Sequence, residues 1–337
     1  MEQKKKVTLA DIAEKLNVSI VTVSKALADK DGVSEDLKQK IKSLASSMGY
    51  KIRKISPDDN AIKTGNIGII IPSRFFSRDF SFYWYFFNYL QKELLTRNYY
   101  AIMELLSDEN EENLVLPRML DDKKIDGIII LGQTSEEYIK NLNSSYENFI
   151  LLDFYLRKQI FDSVSNDDFF CSYMITNHVI ENGHKKIRFV GNFDATTSIR
   201  DRFMGFQAAM YENSLPVSFD EIIPDRDQKG MKITIPLPYD DLPTAFVCNC
   251  DDTAATVISQ LEAKGYKVPD DISVTGFDNY LPREQPSVAL TTVYINPEDT
   301  AKVATDLILS KISGKNYTKG RHLVTGSLII RNSVKKL

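Results

Sequence analysis

The sequence predicts an α/β protein with an N-terminal helix-turn-helix head followed by a larger body of parallel sheets. Three observations carry this. The first fifty residues hold three short helical patterns joined by turn signals. From Asn66 onward, apolar runs of strand length alternate with amphipathic helical stretches, the pattern of parallel strands covered by helices on both faces. Charge is also split along the chain: residues 1–56 carry twelve Lys+Arg against seven Asp+Glu, or +5, which leaves −9 on the remainder of a chain whose net charge is −4. A basic head on an acidic body suits a nucleic-acid-binding module joined to a non-binding domain, because neutralising phosphates requires local positive charge.

In the head, Thr8 to Leu16 reads as a helix with Leu9, Ile12, Ala13 and Leu16 on one face, and Thr8 with Asp11 at N3 resembles a capping box. Asn17-Val18 breaks it, and Ser19 caps a second helix whose inward side chains are Val23, Ala26 and Leu27. That leaves Ile20, Val21, Thr22, Ser24 and Lys25 facing outward near its N-terminus. A third helix from Ser34 has Glu35 and Asp36 in its first turn, buries Leu37, Ile41, Leu44, Ala45 and Met48, and stops at Gly49. Short helices with a tight turn between the first two make a helix-turn-helix, whose second helix enters the major groove N-terminus first. A small bundle with a solvated polar face is the bland alternative.

The run VTLADIAEKLNVSIVTVSKALADKDGVSEDLKQKIKSLASSMGY, residues 7–50, resembles the DNA-binding domain of the LacI/GalR (lactose-repressor) family of bacterial transcription regulators. The resemblance implies that Leu9, Ser19, Thr22, Ser24, Lys25 and Ser34 contact backbone or bases, with Ile20 and Val21 at the leading base-reading positions. Two β-branched apolar side chains cannot donate to guanine or adenine edges, so at those positions they read shape and thymine methyls. Residues 51–66, KIRKISPDDNAIKTGN, form the linker, in which Ser56-Pro57-Asp58-Asp59 is a reasonable helix start. In the family this linker is a short hinge helix, and Ile62 stands where an apolar wedge would enter the minor groove. Asp58 and Asp59 would face phosphates, so a flexible tether is the competing reading.

The body, residues 67–337, has strand candidates at Ile67–Ile71, Tyr100–Leu105, Asp126–Leu131, Phe149–Asp153, Lys186–Gly191, Thr244–Asn249, Ile272–Phe277 and Leu290–Tyr294. Helices are expected at Phe80–Arg97, Asp167–Asn182, Ser198–Asn213, Asp251–Lys264 and Pro297–Ser313. At about 270 residues this is two sheets, with a ligand cleft beyond the strands' carboxyl ends. Nearly every strand ends in polar or small residues, among them Arg74, Gln133, Asp153, Asn249-Cys250-Asp251 and Asp278-Asn279. Such ends suit a polyhydroxylated ligand. Asp153, Asp251, Asp278 and Arg202 are the candidate polar contacts, and the aromatic group Phe80, Phe82, Tyr83 and Trp84 could lay a ring against the apolar face of a sugar. Helix capping and core packing explain the same residue types without a ligand.

The resemblance extends through Asp126-Gly-Ile-Ile-Ile, Asn182-Gly-His-Lys-Lys-Ile-Arg-Phe-Val-Gly, Arg202-Phe-Met-Gly-Phe and Val268-Pro-Asp-Asp-Ile-Ser-Val-Thr-Gly-Phe-Asp278 to the family's effector domain, which resembles periplasmic sugar-binding proteins. It implies two α/β subdomains, effector contacts at Asp153, Arg202 and Asp278, a homodimer and double-stranded operator DNA as partner. Cys250 stands where Asn is usual, so the effector of better-known members does not transfer. A saccharide is the expected effector. A nucleobase or a phosphoprotein is the alternative within the class, and a cytoplasmic sugar-binding protein without DNA binding lies outside it.

Other classes find less support. No Gly-x-Gly-x-x-Gly, P-loop or Gly-x-Ser-x-Gly elbow is present, and three His give little acid-base capacity, so no catalysis and no cofactor are expected. Cys171, Cys248 and Cys250 are too few and too unevenly placed for a disulfide framework, and Cys248-x-Cys250 lacks a partner pair at ligand spacing, so no metal is expected. No apolar run is long enough to span a membrane and the basic start leads into an amphipathic pattern rather than a signal peptide, so the expected location is the cytoplasm.

Overall fold

A computed structural model describes residues 8–27, 32–48, 50, 63–76, 82–218, 222–228, 230–280 and 286–337. The expected hinge residues Ser56, Pro57, Asp58, Asp59 and Ile62, and the aromatic candidate Phe80, lie outside these residues.

The head consists of α1 (Leu9–Leu16), α2 (Ile20–Leu27) and α3 (Glu35–Ser47). Thr8 and Asp11 form the capping box: Asp11 N donates to Thr8 Oγ1 at 3.3 Å and Thr8 N donates to Asp11 Oδ2 at 2.7 Å. Asn17 closes α1 in the left-handed region (φ 51°), and Ser19 Oγ accepts from Thr22 N at 3.0 Å to start α2. Ile12, Val23, Ala26, Ile41 and Ala45 are buried at the centre.

The first subdomain of the body carries a six-stranded sheet. Its strands are β1 (Asn66–Pro72), β2 (Tyr100–Leu106), β3 (Gly127–Leu131), β4 (Phe149–Leu152), β5 (Ser163–Asn166) and β10 (Arg321–Val324), in the order β10-β5-β4-β3-β1-β2 and all parallel. Its helices are α4 (Phe82–Thr96), α5 (Asp108–Glu112), α6 (Arg118–Asp121), α7 (Glu136–Ser145) and α11 (Pro297–Ile312). Strand side chains alternate between two cores: Ile67, Ile69 and Ile71 pack with Phe86, Leu90 and Ile308, while Ile70, Ile128 and Ile130 pack with Tyr138 and Leu142. Burial on both faces is why these runs are continuously apolar rather than alternating.

The second subdomain has the parallel strands β6 (Ile187–Val190), β7 (Ala245–Cys248) and β8 (Ser273–Thr275), and an antiparallel pair, β9 (Thr292–Tyr294) with β11 (Ser327–Ile329). The helices α8 (Asp168–Glu181), α9 (Thr197–Glu212) and α10 (Asp251–Glu262) cover it. α8 and α9 approach closely at Gly205, where a Cβ would stand 2.1 Å from the Phe169 carbonyl oxygen. The chain passes between subdomains three times, at β5 to α8, β9 to α11 and β10 to β11. No helix among the described residues is long and apolar enough to cross a membrane.

Three strands and three helices, β5, β10, β11, α5, α6 and α7, depart from the elements expected from periodicity. β5 reads Ser-Val-Ser-Asn yet is fully buried, its hydroxyls making no apolar run to detect. The expected strand ends Asp126 and Asp153 lie just outside their strands: Asp126 accepts from the Thr64 and Gly65 amides at the linker's end.

Candidate functional site

A cavity of about 440 Å³ lies between the two subdomains. β4 ends at Leu152, and Asp153 turns out of the strand in the left-handed region (φ 68°) with its side chain on the cavity wall. Opposite, Asp278 leaves the second subdomain with φ 96°. Non-glycine residues hold such backbone only when their surroundings impose it, and Asp is among the side chains that tolerate it best.

Arg202 of α9 organises the floor. Its Nε donates to Asp168 Oδ1 at 2.7 Å and its Nη1 to the Asn249 carbonyl at 2.6 Å, while Nη2 lies 3.0 Å from Asp278 Oδ1 and the guanidinium covers the Phe277 ring at 3.8 Å. Tyr83 Oη donates to Asp153 Oδ2 at 2.8 Å, and Asp153 Oδ1 is buried with no partner among the described residues. Three carboxylates thus surround one guanidinium. Burial pushes Asp168 up to about 7 and Asp153 up to about 6, against the pull of Arg202, and burial also raises Asp278. Burial disfavours the Arg202 cation, but Asp278, Asp168 and Asp153 together hold it well above its usual value.

The remaining wall is polar but internally satisfied. Arg226 pairs with Asp225 at 2.7 Å and reaches Asn249 Oδ1 at 3.2 Å and Cys250 Sγ at 3.6 Å. Asn249 Nδ2 donates to Asp225 Oδ2 at 2.7 Å. Arg74 pairs with Asp108 at 3.0 Å and Glu111 at 2.5 Å, and Lys232 pairs with Asp252. Contacts that bridge the subdomains at the rim include Thr197 N, which donates to Gln133 Oε1 at 3.1 Å, and Tyr280, which stacks on Tyr85 with centroids 5.0 Å apart.

Asp153, Arg202 and Asp278 are therefore brought together, and Tyr83 and Phe82 join them on the wall. Two candidates are corrected. Trp84 is not in the cleft: one residue on from Tyr83 is about 100° around the helix, and its ring stacks on Phe87 at 5.6 Å on the outer side. Asp251 is not on the wall either. Its carboxylate, on the first residue of α10, is buried, with Oδ1 accepting from Thr292 Oγ1 at 2.5 Å and Oδ2 from Tyr280 N at 2.7 Å. Burial raises it to about 8, with Asp278 adding to the shift and Arg331 opposing it. Asp252 lines the cavity instead. Arg226, Asp168 and Tyr280 escaped the sequence reading because no periodicity or motif marks them; only Asp168, opening a helix after a strand, carried a positional signal.

In the head, Leu9 is also corrected: the residue is 3% exposed in the three-helix core, which leaves no surface for a side-chain contact to DNA. Ser19, Val21, Lys25 and Ser34 are exposed, and Ser19 Oγ lies 2.8 Å from Thr22 Oγ1. Ile20 is half-buried rather than outward, packed against an apolar cluster to which head and first subdomain both contribute, and Ser24 Oγ donates to Asn141 Oδ1 at 3.1 Å. No group of three or more metal-binding side chains occurs among the described residues. His184 is buried between Thr244, Ser273 and the Lys335 carbonyl, a structural role.

Comparison with known proteins converges on one family. Residues 8–52 match the model of bacterial regulatory proteins of the lacI family, and residues 176–334 match that of a periplasmic binding protein-like domain. The HTH-type transcriptional repressor PurR of Vibrio parahaemolyticus is 25% identical over 98% of this chain and 99% of its own. Among solved structures, a transcriptional regulator CelR–cellobiose complex superposes with a TM-score of 0.74 at 18% identity, covering 97% of this chain and all of its own. The lac repressor dimer bound to operator and the anti-inducer ONPF superposes with a TM-score of 0.64 at 18% identity, covering 98% of this chain and all of its own.

Proposed function

Since this chain belongs to the lacI family of DNA-binding bacterial transcription regulators, we propose that it is a homodimeric repressor whose operator affinity is set by an uncharged, polyhydroxylated effector, a sugar, in the interdomain cleft. Residues 1–50 form the operator-reading head, 51–66 the hinge, and 67–337 the effector-binding and dimerisation body. Two heads on a two-fold axis read an approximately palindromic operator. Ile20 and Val21 read bases, and Ser19, Thr22, Ser24, Lys25 and Ser34 hold the phosphate backbone. Ile62 is assigned to the operator's central minor groove.

The observation that carries the effector reading is the pair Asp153 and Asp278, held in left-handed backbone on opposite sides of one cavity around Arg202. Carboxylates only accept hydrogen bonds when ionised, so their ligand must bring donors, as vicinal hydroxyls do. Among the described residues, every cation on the wall, Arg74, Arg202, Arg226 and Lys232, already has an acidic partner. A phosphorylated ligand would therefore have to compete with a carboxylate for each of these cations. Phe82 and Tyr83 supply ring faces for the apolar side of a sugar. The same rings favour a nucleobase as the second reading.

A ligand contacting both subdomains stabilises their closure, and closure shifts the DNA-competent population. The coupling is reciprocal, so operator DNA changes effector affinity by the same factor. The test is a thermal-shift screen of the full chain against saccharides, phosphorylated saccharides and nucleobases, followed by operator binding with and without any hit. A neutral saccharide that raises the melting temperature and changes operator affinity supports the reading. A hit confined to nucleobases selects the second reading, and a hit confined to phosphorylated sugars overturns the charge argument.

A further inference from the structure

Ser24 of α2 donates its hydroxyl to Asn141 of α7, 117 residues away in another part of the chain. Asn141 is buried and fixed in turn, since its Nδ2 donates to the Leu114 carbonyl at 2.9 Å. Ile20 packs against the apolar cluster that the head shares with the first subdomain, to which Leu114, Tyr138 and Leu142 belong. Ile20 and Val21 then close one side of a second cavity, about 460 Å³, walled on the body side by Asp108, Glu111, Glu112 and Glu137. Three of the residues assigned to operator contact, Ile20, Val21 and Ser24, are thus turned toward the body.

We infer that the surface formed by α5 and the first two turns of α7 is an intramolecular docking site for the recognition helix, which it holds in competition with operator DNA. The inference rests on the reading that α2 enters the major groove. Two features of the chemistry fit it. The surface presents carboxylates to a head that is net positive, +2 over residues 1–50, so it meets the head with the same sign of charge that a phosphate backbone would. The docked positions are also mutually exclusive with DNA: Ile20 cannot pack against the body core and stand against a base edge at once, and the Ser24 hydroxyl has one proton to donate. The linker enters the body at the amino end of β1, whereas the head sits beside the segments that follow the carboxyl ends of β1, β2 and β3. The docked head is therefore folded back along the subdomain. Apparent operator affinity is reduced by the fraction of heads docked in this way.

The docking site also touches the effector cleft, since Arg74 and Phe75 line both cavities. Arg74 is held there by Glu111, whose other oxygen accepts from Ser135 N at 2.5 Å at the start of α7.

A cysteine pair, Ser24→Cys with Asn141→Cys, tests the inference in the full chain with Cys250→Ser, which leaves only the buried native thiols Cys171 and Cys248. Docking predicts a disulfide within one chain under mild oxidation, formed at least threefold more slowly with saturating operator, and loss of operator binding on oxidation that a reductant reverses. A folded protein that forms no such disulfide, forms it only between chains, or forms it at a rate indifferent to operator overturns the inference. Disulfide formation with no DNA binding by the unmodified protein would instead count against the DNA-reading assignment alone. If the cysteine pair does not fold, Glu112→Gln with Glu137→Gln, both exposed, replaces it. Docking predicts at least threefold tighter operator binding for that variant, and unchanged affinity overturns it.

Discussion

Tyr83 donates its hydroxyl to one carboxylate oxygen of Asp153 at 2.8 Å and leaves the other oxygen buried in the cleft wall without a partner among the described residues. A buried acceptor in that state is costly unless something supplies a proton to it. Burial of the Tyr83 phenol, with Asp153 adding to it, raises its pKa well above the usual phenol value. The phenol therefore remains a donor at any ordinary pH, which fixes which oxygen of Asp153 is spent and which faces the ligand.

Replacing Asp153 by Asn tests that polarity. The amide oxygen can still accept from Tyr83, but the atom facing the ligand becomes an NH2 donor where an acceptor stood. Confronting a ligand hydroxyl with the wrong group costs on the order of 1–3 kcal/mol, so effector affinity should fall about tenfold or more, as measured by calorimetry. The melting temperature without ligand should hold or rise, because a buried acid under strain toward neutrality is removed. Unchanged effector affinity would remove Asp153 from the site.

Much of this architecture is readable from residues alone, and the exceptions have physical causes. Ile67 to Ile71 and Asp126 to Leu131 declare themselves because strands covered on both faces must be apolar throughout. β5 does not, since Ser163 and Ser165 are small enough to be buried without an apolar side chain. At the site, Asp153 and Asp278 are legible because strand ends in this topology point into the cleft, whereas Arg202, within α9, is marked only by the family resemblance. Trp84 and Asp251 were misplaced for one reason: adjacency in sequence does not fix which side of a helix a residue faces. Arg226 sits in an irregular stretch between β6 and β7, where neither period applies.

Gly205 sets the spacing of α8 and α9. A methyl group there would meet backbone, the Phe169 carbonyl oxygen at 2.1 Å and Tyr173 N at 2.9 Å, so neither a rotamer change nor a flexible side chain can relieve it. Gly205→Ala should destabilise the chain by roughly 1–3 kcal/mol in urea unfolding, as overpacking does. Because Arg202 stands one turn earlier on α9, effector affinity should fall as well. Wild-type stability in this variant would mean that the helices can part at no cost.

Operator preference follows from Ile20 and Val21. Apolar β-branched side chains gain from thymine methyls and cannot bond guanine. Exchanging T·A for G·C opposite them should cost about 1–3 kcal/mol per pair. Lys25→Ala should weaken binding to all sequences alike and lower the salt slope by about one. Equal affinity for the T·A and G·C operators would sink the assignment of these two readers.

Asp251 makes the stability of the second subdomain depend on pH. Its folded pKa, about 8, is raised by burial far above the unfolded value of about 3.9, because the hydrogen bonds from Thr292 and Tyr280 offset only part of the desolvation. With the folded value the higher, the folded state binds the extra proton. The stabilisation is complete below pH ~4 and is lost as pH rises through about 8. Asp225 works the other way: burial raises it, but Arg226, Asn249 and Thr253 together hold it below its usual value, so its contribution disappears only in acid. Between pH 6 and 9 the Asp251 effect therefore stands apart from that of Asp225. The melting temperature should drop across that interval, and Asp251→Asn, which cannot ionise, should flatten the drop whatever its absolute stability. An equal slope in the two proteins would show that Asp251 is already ionised at pH 6, with its two hydrogen bonds outweighing its burial.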